Sequence, residues 1–124
     1  MEGKRVLLAE DHSDLRALLV ITLDRGGFDV FQFEDGQAAL DAISEVRPEA
    51  LITDLTMPRL DGFALISASR RLPGYERLPT LVFTALDASD PRVKELKELP
   101  RLTVMQKPPS WRDLVPELER LIES

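Results

Sequence analysis

Residues 50–54 read Ala50-Leu51-Ile52-Thr53-Asp54. The first four are nearly all apolar, and a short run of that kind suits a strand covered on both faces, as in a parallel sheet. Two further runs have the same character, Val6 to Ala9 and Leu81 to Thr84. Phe28 to Phe33 includes Asp29 and Gln32, and Leu102 to Gln106 includes Thr103 and Gln106, so these two read as less buried edge strands.

Amphipathic segments separate the runs. Leu15, Leu18, Leu19, Thr22 and Leu23 fall on one helical face, and Gly26-Gly27 ends that helix. Ala39, Leu40, Ile43 and Val46 mark a second helix closed by Pro48. Phe63 to Leu72 is a third, stopped by Pro73-Gly74, and Ser89 to Leu99 a fourth, with Ser89 as cap. Leu114, Leu118, Leu121 and Ile122 mark the fifth. Pro116 would remove a hydrogen bond from a helix capped by Ser110, so the pattern favours a start near Asp113, after a short 3₁₀ turn. Five strand–helix units in strict alternation predict an α/β fold with right-handed crossovers, a doubly wound five-stranded parallel sheet in a three-layer sandwich. With three buried strands and two edges, the order 2-1-3-4-5 fits best.

The chain has 124 residues, the size of one compact domain, and 44% of them are apolar. It has 22 Asp and Glu against 16 Lys and Arg, a net charge of -6. That balance disfavours direct nucleic-acid binding and anionic membranes. With no cysteine there is neither a disulfide frame nor a thiolate metal site. The apolar run near the N-terminus is too short for a signal peptide or a membrane span, so the chain reads as soluble and cytoplasmic.

In such a sheet ligands bind beyond the carboxyl ends of the strands, where the winding reverses. Here that point lies between strands 1 and 3, about 4.8 Å apart, so Glu10, Asp11 and Asp54 converge there. Strand 4 ends at Thr84 and strand 5 at Lys107, on the same edge. Each residue alone has a plain reading as a solvated, turn or, for Thr84, ordinary strand residue; their coincidence at four strand ends is what points to a site. Three clustered carboxylates repel one another, and a hard divalent cation such as Mg²⁺ removes the conflict. Asp11 and Asp54 suit direct ligation, and Glu10 ligation through water. Three carboxylates balanced by Mg²⁺ and Lys107 leave no net formal charge, which admits a phosphoryl group. Lys107 and the Thr84 hydroxyl can each hold a phosphoryl oxygen, and Asp54 can serve as the nucleophile. His12, the one histidine, reads as a surface residue, and Trp111 as a packing or partner-facing one.

These residues resemble those of a receiver domain from two-component response regulators. The resembling pieces are Val6-Leu-Leu-Ala-Glu-Asp11, Ile52-Thr-Asp-Leu-Thr-Met-Pro58, Asp61-Gly62, Leu81-Val-Phe-Thr-Ala85 and Lys107-Pro108. The resemblance implies a flavodoxin-like (βα)5 fold and a phosphoacceptor switch rather than an enzyme acting on other substrates. By position it implies that Asp54 is the phosphoacceptor and that Glu10 and Asp11 serve Mg²⁺. Thr56 would lend its backbone carbonyl to the metal, Thr84 would be the switch hydroxyl, and Lys107 would face the phosphate across a cis bond to Pro108. The implied partners are a sensor histidine kinase or histidine phosphotransfer protein as donor, and a downstream effector or output domain on the face made by helix 4, strand 5 and helix 5. A homodimer is compatible with it.

The chain departs from the family where the signal would be read out. Val104 replaces the usual strand 5 aromatic, Leu99-Pro100 the usual Gly-Ala after helix 4, and Pro109 and Trp111 alter the run after the lysine. The chain is expected to be a single receiver domain over residues 1–124 without an output domain. Three readings compete. A topoisomerase-primase-type Mg²⁺ site needs an acid where Thr56 stands and a basic face for DNA. An aspartate-nucleophile phosphohydrolase needs Asp-x-Asp spacing where Glu10 and Asp11 are adjacent. A diverged receiver that only docks partners, independently of phosphorylation, would have lost an acid, the Thr or the Lys.

Overall fold

The computed structural model describes residues 3–107 and 110–124. Five strands, β1 (Arg5–Ala9), β2 (Asp29–Phe33), β3 (Ala50–Asp54), β4 (Thr80–Thr84) and β5 (Leu102–Gln106), alternate with five helices. The helices are α1 (Ser13–Arg25), α2 (Gly36–Val46), α3 (Gly62–Arg70), α4 (Pro91–Lys97) and α5 (Trp111–Glu123). All pairings are parallel, and the order is β2-β1-β3-β4-β5, as expected from the alternation.

The period-2 alternation of the strands divides the core between the two faces of the sheet. Leu7, Leu51 and Val82 point to one face, where they pack with Ala39 and Ile43 of α2, Leu65 and Ile66 of α3, and Val93 and Leu96 of α4. Val6, Leu8, Ile52, Leu81 and Phe83 point to the other, against Leu19 and Leu23 of α1 and Leu114, Leu118 and Leu121 of α5. Because β1, β3 and β4 are covered twice, their sequences carry no polar alternation; every residue of β3 and β4 is buried. The edges β2 and β5 are mostly exposed or half-buried, which explains their mixed composition.

Three details differ from the sequence reading. Helix α4 is shorter than Ser89 to Leu99: Asp90, not Ser89, caps it, accepting from the Arg92 N–H at 2.9 Å. Pro91 at the first helical position has its φ set for a helix start and lacks an N–H that would be unpaired there anyway. Helix α5 starts at Trp111 rather than near Asp113, so Pro116 lies inside it. Its first turn is tight, with the Asp113 N–H donating to the Ser110 carbonyl at 3.1 Å. The hydrogen bond forfeited at Pro116 is offset by burial of Leu114, Leu118 and Leu121, each contributing about 1.5–3 kcal/mol. Finally, Leu18 is 52% exposed, because the buried stripe of α1 centres on Leu19 and Leu23 and a neighbour in sequence sits about 100° around the helix.

Candidate functional site

The carboxyl ends of β1, β3, β4 and β5 bring the expected residues to one edge. Glu10 follows β1 and is 1% exposed; Asp54 ends β3 and is 7% exposed. Asp11, next in the β1–α1 loop, is exposed. One carboxylate oxygen from each of the three lies within 4.8 Å of the other two. Lys107, just beyond β5, reaches across: its Nζ is 2.8 Å from Asp54 Oδ2 and 3.3 Å from Glu10 Oε1. The ladder itself aims this lysine, since the Lys107 N–H donates to the Thr84 carbonyl at 2.9 Å and so continues the β4–β5 pairing.

The backbone orients the acids. Asp54 Oδ1 accepts the Leu55 N–H at 2.6 Å, leaving Oδ2 to Lys107. Glu10 Oε2 accepts the His12 N–H at 3.2 Å, and the Glu10 carbonyl accepts from Arg16 at 2.8 Å. Glu10 Oε1 is buried and accepts no hydrogen bond; the lysine is near it but poorly aligned. Burial pushes the Glu10 carboxyl up; the His12 N–H opposes this, the Asp54 charge adds to it, and Lys107 opposes it. For Lys107, burial pulls the ammonium down, but the hydrogen bond to Asp54 and the charges of Glu10 and Asp54 outweigh it and hold the group above its ordinary value.

The donor set fits a hard cation. Carboxylates and carbonyls are its preferred ligands, and a buried carboxylate oxygen with no hydrogen-bond donor is an open coordination point. Thr56 lies in the loop after β3, exposed, beside Asp54. Thr84 is fully buried at the end of β4. Its Oγ1 accepts the Leu86 N–H at 3.0 Å, and among the described residues it makes no hydrogen bond to Asp54, Glu10 or Lys107. The Lys107–Pro108 bond lies outside the described residues.

Three features escaped the sequence reading. His12 caps α1, its Nδ1 accepting the Leu15 N–H at 3.3 Å. A Cβ on Gly62 would come within 2.0 Å of the Asp54 carbonyl oxygen, so α3 can start this close behind Asp54 only with glycine there. Asp35 caps α2 through the Ala38 N–H at 2.8 Å and binds Arg59 in the β3–α3 loop at 2.7 Å. Asp just before a helical pattern was a legible cap signal; nothing local in sequence ties it to Arg59, 24 residues away.

Residues 6–119 match the response regulator receiver domain. The chain is 33% identical over 120 residues to the response regulator receiver protein CpdR of Brucella abortus, covering 96% of this chain and 97% of that one. It spans about two fifths of the length of other curated relatives that it matches, such as a transcriptional regulatory protein of Haemophilus influenzae at 41% of its length. The receiver domain of sensor histidine kinase PA1611 from Pseudomonas aeruginosa has a magnesium ion coordinated in its active-site cleft. It superposes with a TM-score of 0.86 at 27% identity, covering 98% of this chain and 99% of that one. Chemotaxis protein CheY4 of Vibrio cholerae also gives a TM-score of 0.86, at 28% identity over 96% of this chain and 98% of its own. The chain belongs to the receiver domain family of two-component response regulators.

Proposed function

We propose that this chain is a phosphoacceptor switch in which Asp54 takes a phosphoryl group in a Mg²⁺-dependent reaction. The observation that carries the reading is Lys107 Nζ set between Asp54 Oδ2, at 2.8 Å, and Glu10 Oε1, at 3.3 Å, in a cluster of three carboxylates. The two carboxylates hold the ammonium at the mouth of the site, where a phosphoryl group on Asp54 would need a cation.

Asp11 and Asp54 would hold the ion directly, with the Thr56 carbonyl, and Glu10 through water. When bound, Mg²⁺ supplies charge neutralisation and alignment for the incoming phosphoryl group. A carboxylate oxygen of Asp54 attacks the phosphorus of a phosphohistidine. The O–P bond forms as the P–N bond breaks, and its electron pair stays with the donor imidazole. Lys107 then exchanges part of its contact with Asp54 for a phosphoryl oxygen. Thr84 can donate its hydroxyl proton to another, because its oxygen, not its proton, is engaged by Leu86. The residues catalyse only the chain's own phosphorylation and dephosphorylation. The donor is a sensor histidine kinase or histidine phosphotransfer protein, and the output passes to an effector over the face made by α4, β5 and α5.

Incubation with acetyl phosphate, followed by intact-mass measurement with and without Mg²⁺, tests this. One added phosphoryl group is expected, absent without the metal and absent in Asp54→Asn. Labelling of that variant equal to the parent's would refute the assignment. Asp11→Ala should weaken Mg²⁺ binding more than Glu10→Ala, and the reverse order would overturn the metal roles.

A further inference from the structure

Behind the phosphoacceptor edge, α3 and α4 leave a groove between them that begins at Phe63 and Arg92, near their N-termini. Two adjoining hollows along this groove, about 380 Å³ and 250 Å³, share Phe63, Ser67, Leu96 and Leu99 in their walls. Its floor is apolar, made by Phe63, Ile66 and Leu96 together with Leu99, which is 38% exposed. The hollow is large enough for a few apolar side chains spaced along one face of a helix.

With Asp90 counted against Arg92 and Glu95 against a second arginine, the walls keep a small positive excess. Arg70, Arg71 and Arg92 line the groove against one carboxylate, Glu95, in a chain whose net charge is -6. Arg92 lies over the Phe63 ring with its guanidinium carbon 5.0 Å from the centroid, at the edge of the apolar floor, and is paired with Asp90 at 3.0 Å. Arg71 is exposed and pairs with no carboxylate among the described residues; its guanidinium rests on Ser67. Arg70 likewise has no carboxylate partner among them, and donates to the carbonyls of Leu78 and Arg101.

We infer that the α3–α4 groove is a docking site for an amphipathic helical segment of a partner protein whose apolar face is flanked by carboxylates. The apolar side chains enter between Phe63 and Leu99, and the carboxylates meet Arg71 and Arg92. This goes beyond the phosphoacceptor reading and does not require it, since the groove is present in the unphosphorylated chain.

Two short helical peptides test it, both with Leu at i, i+3, i+4 and i+7, one flanked by Glu and the other by Lys. Binding is followed by NMR on the unphosphorylated chain. The Glu peptide should bind on the order of tenfold more tightly than the Lys peptide, more weakly as salt is raised, and should shift the amides of Phe63, Ser67, Leu96 and Leu99. Arg71→Glu should reverse the preference and Leu99→Asp should abolish binding; both positions are exposed, and retained amide dispersion in each variant shows that it is folded. Four results would each overturn the inference: neither peptide binds, both bind alike, the shifts fall outside the groove, or the chain pairs with itself through this face.

Discussion

Glu10 is the residue on which the chemistry and the stability of this site oppose each other. Its carboxyl is 1% exposed, and one oxygen lacks a hydrogen bond. Burial first, with the Asp54 charge adding to it, raises its folded pKa above the ordinary 4.5 against the pull of the His12 N–H and Lys107. A carboxyl raised on folding contributes stability that is fully present below the unfolded pKa and is lost as pH rises through the folded one. Metal-free protein should therefore gain from Glu10→Gln at neutral pH. Relief of the buried charge is worth on the order of 1 kcal/mol, a rise in Tm of roughly 2–8 °C. The gain should close as pH falls below 4.5, and thermal scans in chelator across that range would check it. In Mg²⁺ the same substitution should weaken the ion's hold. A metal-free Glu10→Gln protein less stable than its parent at neutral pH would show that the Lys107 contact outweighs burial.

Among the elements, the β4–α4 connection is the one placed to report on the site. Thr84 Oγ1 holds the Leu86 N–H, so a Thr84 hydroxyl that turns to a phosphoryl oxygen disturbs that loop first. The β5 side has less to give. Val104 is half-buried against the α2–α3–α4 half of the core, and a β-branched side chain is stiff at χ1 and cannot swing between two poses. Amide exchange with a beryllofluoride phosphoryl mimic should change most from Ala85 to about Val93, with Val104 and Trp111 changing little. Equal changes at both places would refute this. The α2 start makes a second, independent prediction. The hydrogen bond from Arg59, then that from Ala38, hold the Asp35 carboxyl below its ordinary 3.8. A carboxyl depressed on folding stabilises above its unfolded pKa, and this is lost as pH falls through the folded one. Arg59→Met should return Asp35 toward 3.8 and move the acid limb of the unfolding curve to higher pH; circular dichroism against pH would follow it.

Across the whole molecule, the site draws one residue or more from four of the five strand ends, so ligation there is linked to the stability of the entire sheet. Metal bound only by the folded state adds about 2.7 kcal/mol at one hundred times Kd, a Tm rise of ~10 °C for a domain of this size. Chelator should reverse it. Asp11→Ala and Asp54→Asn should lose most of it, because their carboxylates form the cluster with Glu10. A Tm indifferent to Mg²⁺ in the parent chain would remove the metal from the mechanism. No helix among the described residues is long and apolar enough to cross a membrane.

The amino-acid sequence by itself determined the layer plan. Val6–Ala9, Ala50–Thr53 and Leu81–Thr84 are apolar on both faces because β1, β3 and β4 are covered twice, and the mixed runs fell at the edges for the converse reason. The same alternation led to the strand ends and hence to Glu10, Asp11, Asp54, Thr84 and Lys107. Element ends were less legible. Asp90 displaced Ser89 as the α4 cap, and α5 began before Pro116 rather than around it, because burial of Leu114, Leu118 and Leu121 outweighs one missing hydrogen bond. Only the tertiary structure decided contacts between residues far apart in the chain: Lys107 on Asp54 and Glu10, Arg59 on Asp35, Gly62 behind the Asp54 carbonyl, and the groove between α3 and α4. Periodicity records which face of an element is buried, whereas the distance between two side chains depends on how the sheet's twist and register set separate elements against each other.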